Sequence, residues 1–331
     1  MAFAILGILL THSGAYLDWG YVNRLLSMGI GGVDFFFFLS GFGLYYSYSK
    51  DPNALRFYKK RFIRIMPMFL LVLLVSKLLQ NTFSWLPFLK LASTIGFWFP
   101  KDWGWSYFAW FVSVILFLYL IFPLYYRFFS KRPILTTCAA IGIACLLIGM
   151  YIYLYFVVWP TAYHGTILFY ARIPVFVSGV LAGFYSRQKR EPARPWLFVV
   201  VAIVAFVVYF FWLANYEYRF LYKTALFFMP YFFIAPGGSY VVALVFERLQ
   251  GCRILNKVVD LIGSSTLEAY LLINTIYYYK NDFVAIVGNK LLGIALMVLT
   301  TMVVAIILHY LMGLVIGLIE KGVKKLSSSS H

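Results

Sequence analysis

The stretch that most constrains this chain is Gly32 to Pro67, GVDFFFFLSGFGLYYSYSKDPNALRFYKKRFIRIMP. Its first half, Val33 to Tyr48, is almost wholly apolar apart from Asp34 at its start and Ser40-Gly41 in its middle. Such a run predicts a membrane span, and it leads straight into Lys50, Arg56, Lys59, Lys60, Arg61 and Arg64 before the chain returns at Pro67. A basic segment pinned between two spans is cytoplasmic under the positive-inside rule. Arg61 and Arg64, at i and i+3, share one helix face and form a natural anion clamp.

Composition agrees with a bilayer as solvent. Hydrophobic residues make up 63% and charged residues 12% of the 331 positions, where a soluble domain has about half and a quarter. The net charge of +17 would suggest a nucleic-acid binder in a soluble chain. Here few residues are charged and cytoplasmic loops account for the excess, so no nucleic acid is expected. Cys138, Cys145 and Cys252 have no paired or zinc-type spacing, so neither a disulfide framework nor a metal site is expected. The many Tyr, Phe and Trp residues suit interfacial belts and packing between spans.

Ten spans are expected: one from at or before Ala2, then Val33 to Tyr48, Ile65 to Leu79, Phe108 to Tyr126, Ile134 to Trp159, Ile167 to Tyr185, Trp196 to Leu213, Leu221 to Phe246, Val258 to Tyr279 and Leu291 to Ile319. The first is short: about ten apolar residues precede Thr11-His12, against the roughly 20 of a full span. Either the numbering begins inside that helix or the native start lies upstream. Gln80 to Tyr107 reads as a long outer segment carrying Trp85, Trp98, Trp103 and Trp105. Pro230 and Pro236-Gly237-Gly238 predict a kink or break in the eighth span. The fold class is therefore all-α, a polytopic membrane helix bundle of about ten transmembrane helices. One domain covers 1–326, and the SSSSH tail at 327–331 reads as an appended remnant.

Lysine and arginine orient this bundle. They cluster at 50–64, 127–132, 187–194, 248–257 and 321–325, the proposed inner segments, against a scatter of single residues outside. Both termini are then cytoplasmic, and the protein is expected as a multi-pass component of the inner or plasma membrane.

Ionisable groups within spans are expensive and mark candidate chemistry. His12 ends an apolar helix on the outer side, where it serves either as an acid–base group or as a histidine satisfied by its neighbours. Asp34 opens the next span and reads slightly better as an N-terminal cap than as a carboxylate orienting that imidazole. Lys60, Arg61 and Arg64 hold an anion, or else enforce topology and bind lipid phosphates. Arg172, in YARIPVFVSG on the outer side, runs against the positive-inside bias, and an anionic or polar ligand would explain it. Glu268 and Asn274, in STLEAYLLIN, face different sides of the ninth span, and Arg172 is one candidate partner for Glu268. His164 and His309 read as structural.

The order THSG, GVDFFFFLSGFGL, FYKKRFIRIMP, WFVSVILFLYLIFPL, RIPVFVSGVLAG and IGSSTLEAYLLIN resembles the acyltransferase type 3 superfamily, membrane enzymes that modify bacterial surface sugars. The most specific part is GVDFFFFLSGF followed about twenty residues later by RFIRIMP, after a first-span histidine. The resemblance implies a ten-span fold, acetyl-CoA or another acyl-CoA as cytoplasmic donor, His12 as catalytic histidine, and Arg61 and Arg64 near the donor. The acceptor would be a glycan or lipid-linked sugar at the outer face, with membrane lipids as the other partners. Two departures stand out: Met1 occupies the position, eleven before the histidine, where the family usually has a basic residue, and Asn274 stands where a second histidine is common.

In that reading His12 and Asp34 are the catalytic candidates, Lys60, Arg61 and Arg64 bind the donor, and Arg172, Glu268 and Asn274 bind substrate. His12 acts as general base or as a nucleophile that forms an acyl-imidazole; the sequence leaves both open. The rival reading is a secondary transporter or flippase, since ten spans, a broken helix and buried charges describe that class too, although no inverted repeat is evident.

Overall fold

In the computed structural model the described residues are 1–13, 20–99, 109–158, 165–190, 194–249 and 251–328, without the side chains at 20, 21, 218, 219 and 319–328. Trp103, Trp105, His164, the side chains of Lys321, Lys324 and Lys325, and the end of the SSSSH tail lie outside them. All the regular structure described is helical. Seven helical stretches are long and apolar enough to cross a bilayer: Val22–Lys50, Ala54–Leu79, Ala109–Phe129, Pro133–Val158, Thr166–Arg187, Trp196–Asn215 and Lys290–Leu318.

The three other expected spans fall on shorter or interrupted helices. Helix α1 (Ala2–Ser13) has 12 residues. After α2 (Gly20–Ser27) and a 3₁₀ turn comes α3 (Gly32–Lys50), and then α4 (Ala54–Leu79) and α5 (Trp85–Ala92). Helix α4 contains most of the basic segment read above as a loop. Asn53 caps it by accepting a hydrogen bond from the Arg56 amide at 2.9 Å, and the helix runs on through Pro67.

Helices α6 (Ala109–Phe129), α7 (Pro133–Tyr153), α8 (Thr166–Tyr170), α9 (Ile173–Arg187) and α10 (Trp196–Asn215) follow. Proline in the first turn starts α7 and α9, where its missing amide hydrogen costs nothing. The eighth expected span begins as α11 (Tyr218–Lys223), breaks over 224–230 and resumes as α12 (Tyr231–Arg248). The break ends at Pro230, the N-cap of α12, and Pro236-Gly237-Gly238 lies inside the helix, where a side chain on Gly237 would collide with Ala202 and the Phe198 carbonyl of α10. The ninth is divided at Ser265 into α13 (Arg253–Ser264) and α14 (Thr266–Ile276), and the Ser265 hydroxyl bonds back to the Leu261 carbonyl at 2.8 Å. Helices α15 (Lys280–Val287) and α16 (Lys290–Ser328) complete the chain.

The densest packing joins α3 and α9. A Cβ on Gly41 would strike the Phe176 carbonyl, and one on Gly179 the Phe38 carbonyl, so glycine lets the two backbones touch. Close approach also replaces the hydrophobic drive that lipid cannot supply between helices. Around this pair, α1 and α12 pack on α3, α14 packs between α1, α4 and α16, and α10 packs on α12.

Candidate active site

The polar groups gather at two ends of the bundle. At one end the first turns of α3, α9 and α12 meet around Asp34 and Arg172. The Arg172 Nε lies 3.3 Å from Asp34 Oδ1, with both side chains 1% exposed. Phe228 stacks under the guanidinium at 3.9 Å and Trp110 at 5.1 Å, each face-on to the cation. Tyr231 closes the cluster by donating to the Met28 carbonyl at 2.5 Å.

Asp34 is therefore neither the cap of α3, a position taken by Gly31, nor the partner of His12. Gly32 packs against the Ala4 carbonyl and the Ile8 side chain, which sets the start of α3 level with the middle of α1. His12 stands at least about 9 Å further along the bundle axis than Asp34 at 1.5 Å per residue. A carboxylate buried at that depth needs a cation within reach, and Arg172 is the one the fold supplies.

His12 is exposed, and its ring meets Tyr277 edge-on at 6.5 Å between centroids. The Tyr277 hydroxyl donates to the Leu9 carbonyl at 2.8 Å, which ties the end of α14 to α1 beside the imidazole. Thr11 donates to the Leu26 carbonyl at 2.5 Å and holds the same turn against α2.

Helix α14 presents Glu268 and Asn274 to different neighbours. Asn274 donates to Ser76 of α4 at 3.4 Å, while Gln80 donates to the Asn274 carbonyl at 3.2 Å. Glu268, 6% exposed, pairs with His309 of α16 at 3.0 Å, so the carboxylate partner expected in Arg172 is His309 instead. Arg172 starts α9, already committed to Asp34, whereas His309 faces α14 directly. This pair of Glu268 and His309 was missed from the sequence because the two residues sit on separate helices, with no spacing signal to join them.

At the other end Arg61 is half-buried, its Nη2 donating to Ser47 at 3.0 Å and its guanidinium 5.6 Å from the ring centroids of both Phe57 and Tyr119. Lys60 and Arg64 are exposed beside it. Ser76, level with Asn274, lies roughly 22 Å along α4 from Arg61. Tyr277, against the His12 ring, is one turn beyond Asn274. The half-buried Arg61 with the exposed Lys60 and Arg64, and the exposed imidazole of His12, thus lie toward opposite ends of one helical bundle.

The described residues thus form an all-helical bundle with seven candidate membrane-spanning helices, an exposed histidine toward one end and Lys60, Arg61 and Arg64 toward the other. A family model described as an acyltransferase domain matches residues 2–310, and the chain belongs to that acyltransferase family. No curated protein and no solved structure matches the chain.

Proposed function

We propose that this protein is a membrane O-acyltransferase that takes an acyl group, most simply acetyl, from acyl-CoA at the basic face and passes it to a hydroxyl of a sugar or lipid-linked glycan at the opposite face. In this reading the bundle has ten spans, with both termini on the basic, cytoplasmic side. The observation that carries it is the placement of the basic cluster and of His12 at opposite ends of a bundle whose family is acyltransferase.

Lys60, Arg61 and Arg64 hold the donor phosphates by charge-assisted bonds. Exposure of Lys60 and Arg64 leaves their donors free for such a ligand, and Ser47 orients Arg61 toward them. The thioester then reaches His12, which takes the acceptor proton as general base or forms an acyl-imidazole. On the general-base route the acceptor oxygen bonds to the acyl carbon as the carbon–sulfur bond breaks, and the imidazolium returns the proton to the coenzyme A thiolate; on the acyl-imidazole route the ring nitrogen displaces the thiolate first, and the acceptor oxygen then breaks the carbon–nitrogen bond. Asn274 and Tyr277 hold the α14 wall of the site near His12, and Glu268 fixes that helix from its other side. Asp34 acts through Arg172, keeping the starts of α3 and α9 in register beneath the acceptor. Mass spectrometry of surface glycans from cells with and without the gene tests this: loss of an ester-linked acyl group is expected, and an unchanged glycan profile would count against the reading.

A further inference from the structure

One side of α6 is hollowed. Phe117 and Leu120 lie opposite the buried Leu118 and Phe122 at 100° per residue. With Phe62 and Arg61 of α4, and Ile95 and Trp98 of the turn after α5, they enclose a groove of about 380 Å³, within the range of small-molecule sites. Phe62, Leu120 and Ile95 are 58%, 58% and 54% exposed and form its open side, while the buried Ser113 and Tyr119 line its inner wall.

Arg61 is the charged residue in this lining. Its Nη2 is held by Ser47, while its Nε is buried without a hydrogen-bond partner. At the far end Trp98 packs on Phe117 and Phe169, with centroids 4.8 and 5.2 Å away. Thr94, which begins the turn, holds φ 60°, a left-handed conformation that a β-branched residue adopts only under strain.

An apolar channel open to the bilayer, with a single cation at the basic end, complements an amphiphile of opposite polarity: a hydrocarbon tail and an anionic head. A neutral lipid would leave the cation without a counter-charge in a poorly solvated place. We propose that the groove holds one acyl chain of an anionic phospholipid from the leaflet at the basic end, with its phosphate on Arg61. The inference stands apart from the acyl-transfer reading, although phospholipid and donor phosphates would share Arg61.

The test is native mass spectrometry of the purified full chain after equilibration with micelles holding phosphatidylglycerol and diacylglycerol of identical chains, the second lacking the phosphate. One phosphatidylglycerol is expected per chain, favoured by about tenfold, the effect of one charge-assisted hydrogen bond. Arg61→Gln should erase the preference. Leu120→Trp, which fills the groove from its lipid-facing side, should lose the bound lipid but keep coenzyme A binding and the melting temperature; Ile95→Trp serves if that variant folds poorly. Equal retention of the two lipids, or retention unchanged in both tryptophan variants, overturns the proposal. So does a groove that keeps palmitoyl-CoA and rejects phosphatidylglycerol, since it then belongs to the donor.

Discussion

Replacing Arg172 by Met should cost more stability than any other single change outside the glycine contacts. The guanidinium and the Asp34 carboxylate are both 1% exposed, at 3.3 Å, with Phe228 at 3.9 Å beneath the cation. Removing one partner leaves the other charge buried and uncompensated, at about 3–5 kcal/mol. The lost stacking on Phe228 and Trp110 adds about 0.5–2 kcal/mol. The double variant Asp34→Leu with Arg172→Met carries no buried charge, and apolar pairs of similar volume are often neutral or better than the ion pair. It should therefore recover most of the loss. Thermal unfolding of the purified protein in one detergent, across wild type, both singles and the double, measures this coupling. A double variant that loses the sum of the two singles, or an Arg172→Met that unfolds like wild type, would refute the reasoning. Activity of the stable double variant then separates a scaffold role from a catalytic one.

Replacing Gly179 by Leu should break the α3–α9 contact, since even a Cβ there meets the Phe38 carbonyl, and the loss should exceed the usual 1–3 kcal/mol of overpacking, read by unfolding. Arg61→Gln with Arg64→Gln should weaken coenzyme A binding by about 1.5–3 kcal/mol for each bond lost while expression and orientation hold; unchanged affinity by titration would leave only topology and lipid roles. Glu268→Leu should cost about 0.5–1.5 kcal/mol through loss of the bond to the partly exposed His309, and Glu268→Gln less, as seen by unfolding.

The sequence already spoke for an all-helical membrane protein, because apolar runs interrupted by basic clusters have few other physical solutions. It also carried the family through residue order. What it missed arises from tertiary contact. Charge bias places the 50–64 segment on one side of the membrane without saying whether it is helix, and Asn53 makes it helix by capping α4. Prolines at 230 and 236 mark the eighth span alike, yet the break ends at the first while α12 winds through the second, where Gly237 lies against α10. Asp34 could be read only against its sequence neighbours, and its real partner lies at the start of a distant helix. The interruption at Ser265 left no trace beyond serines that a helix tolerates. His12 was visible as an ionisable group at the end of an apolar run, but its setting beside Tyr277 was not.

The most direct measurement is transfer from acetyl-CoA by the purified protein in proteoliposomes, with a sugar acceptor inside and donor outside, for wild type and His12→Ala. The account predicts acetylated acceptor with wild type and a loss of about 10²- to 10⁴-fold with His12→Ala, while the variant binds coenzyme A as tightly as wild type. Transfer that survives His12→Ala at near-normal rate would contradict the account, and so would wild-type protein that binds no coenzyme A.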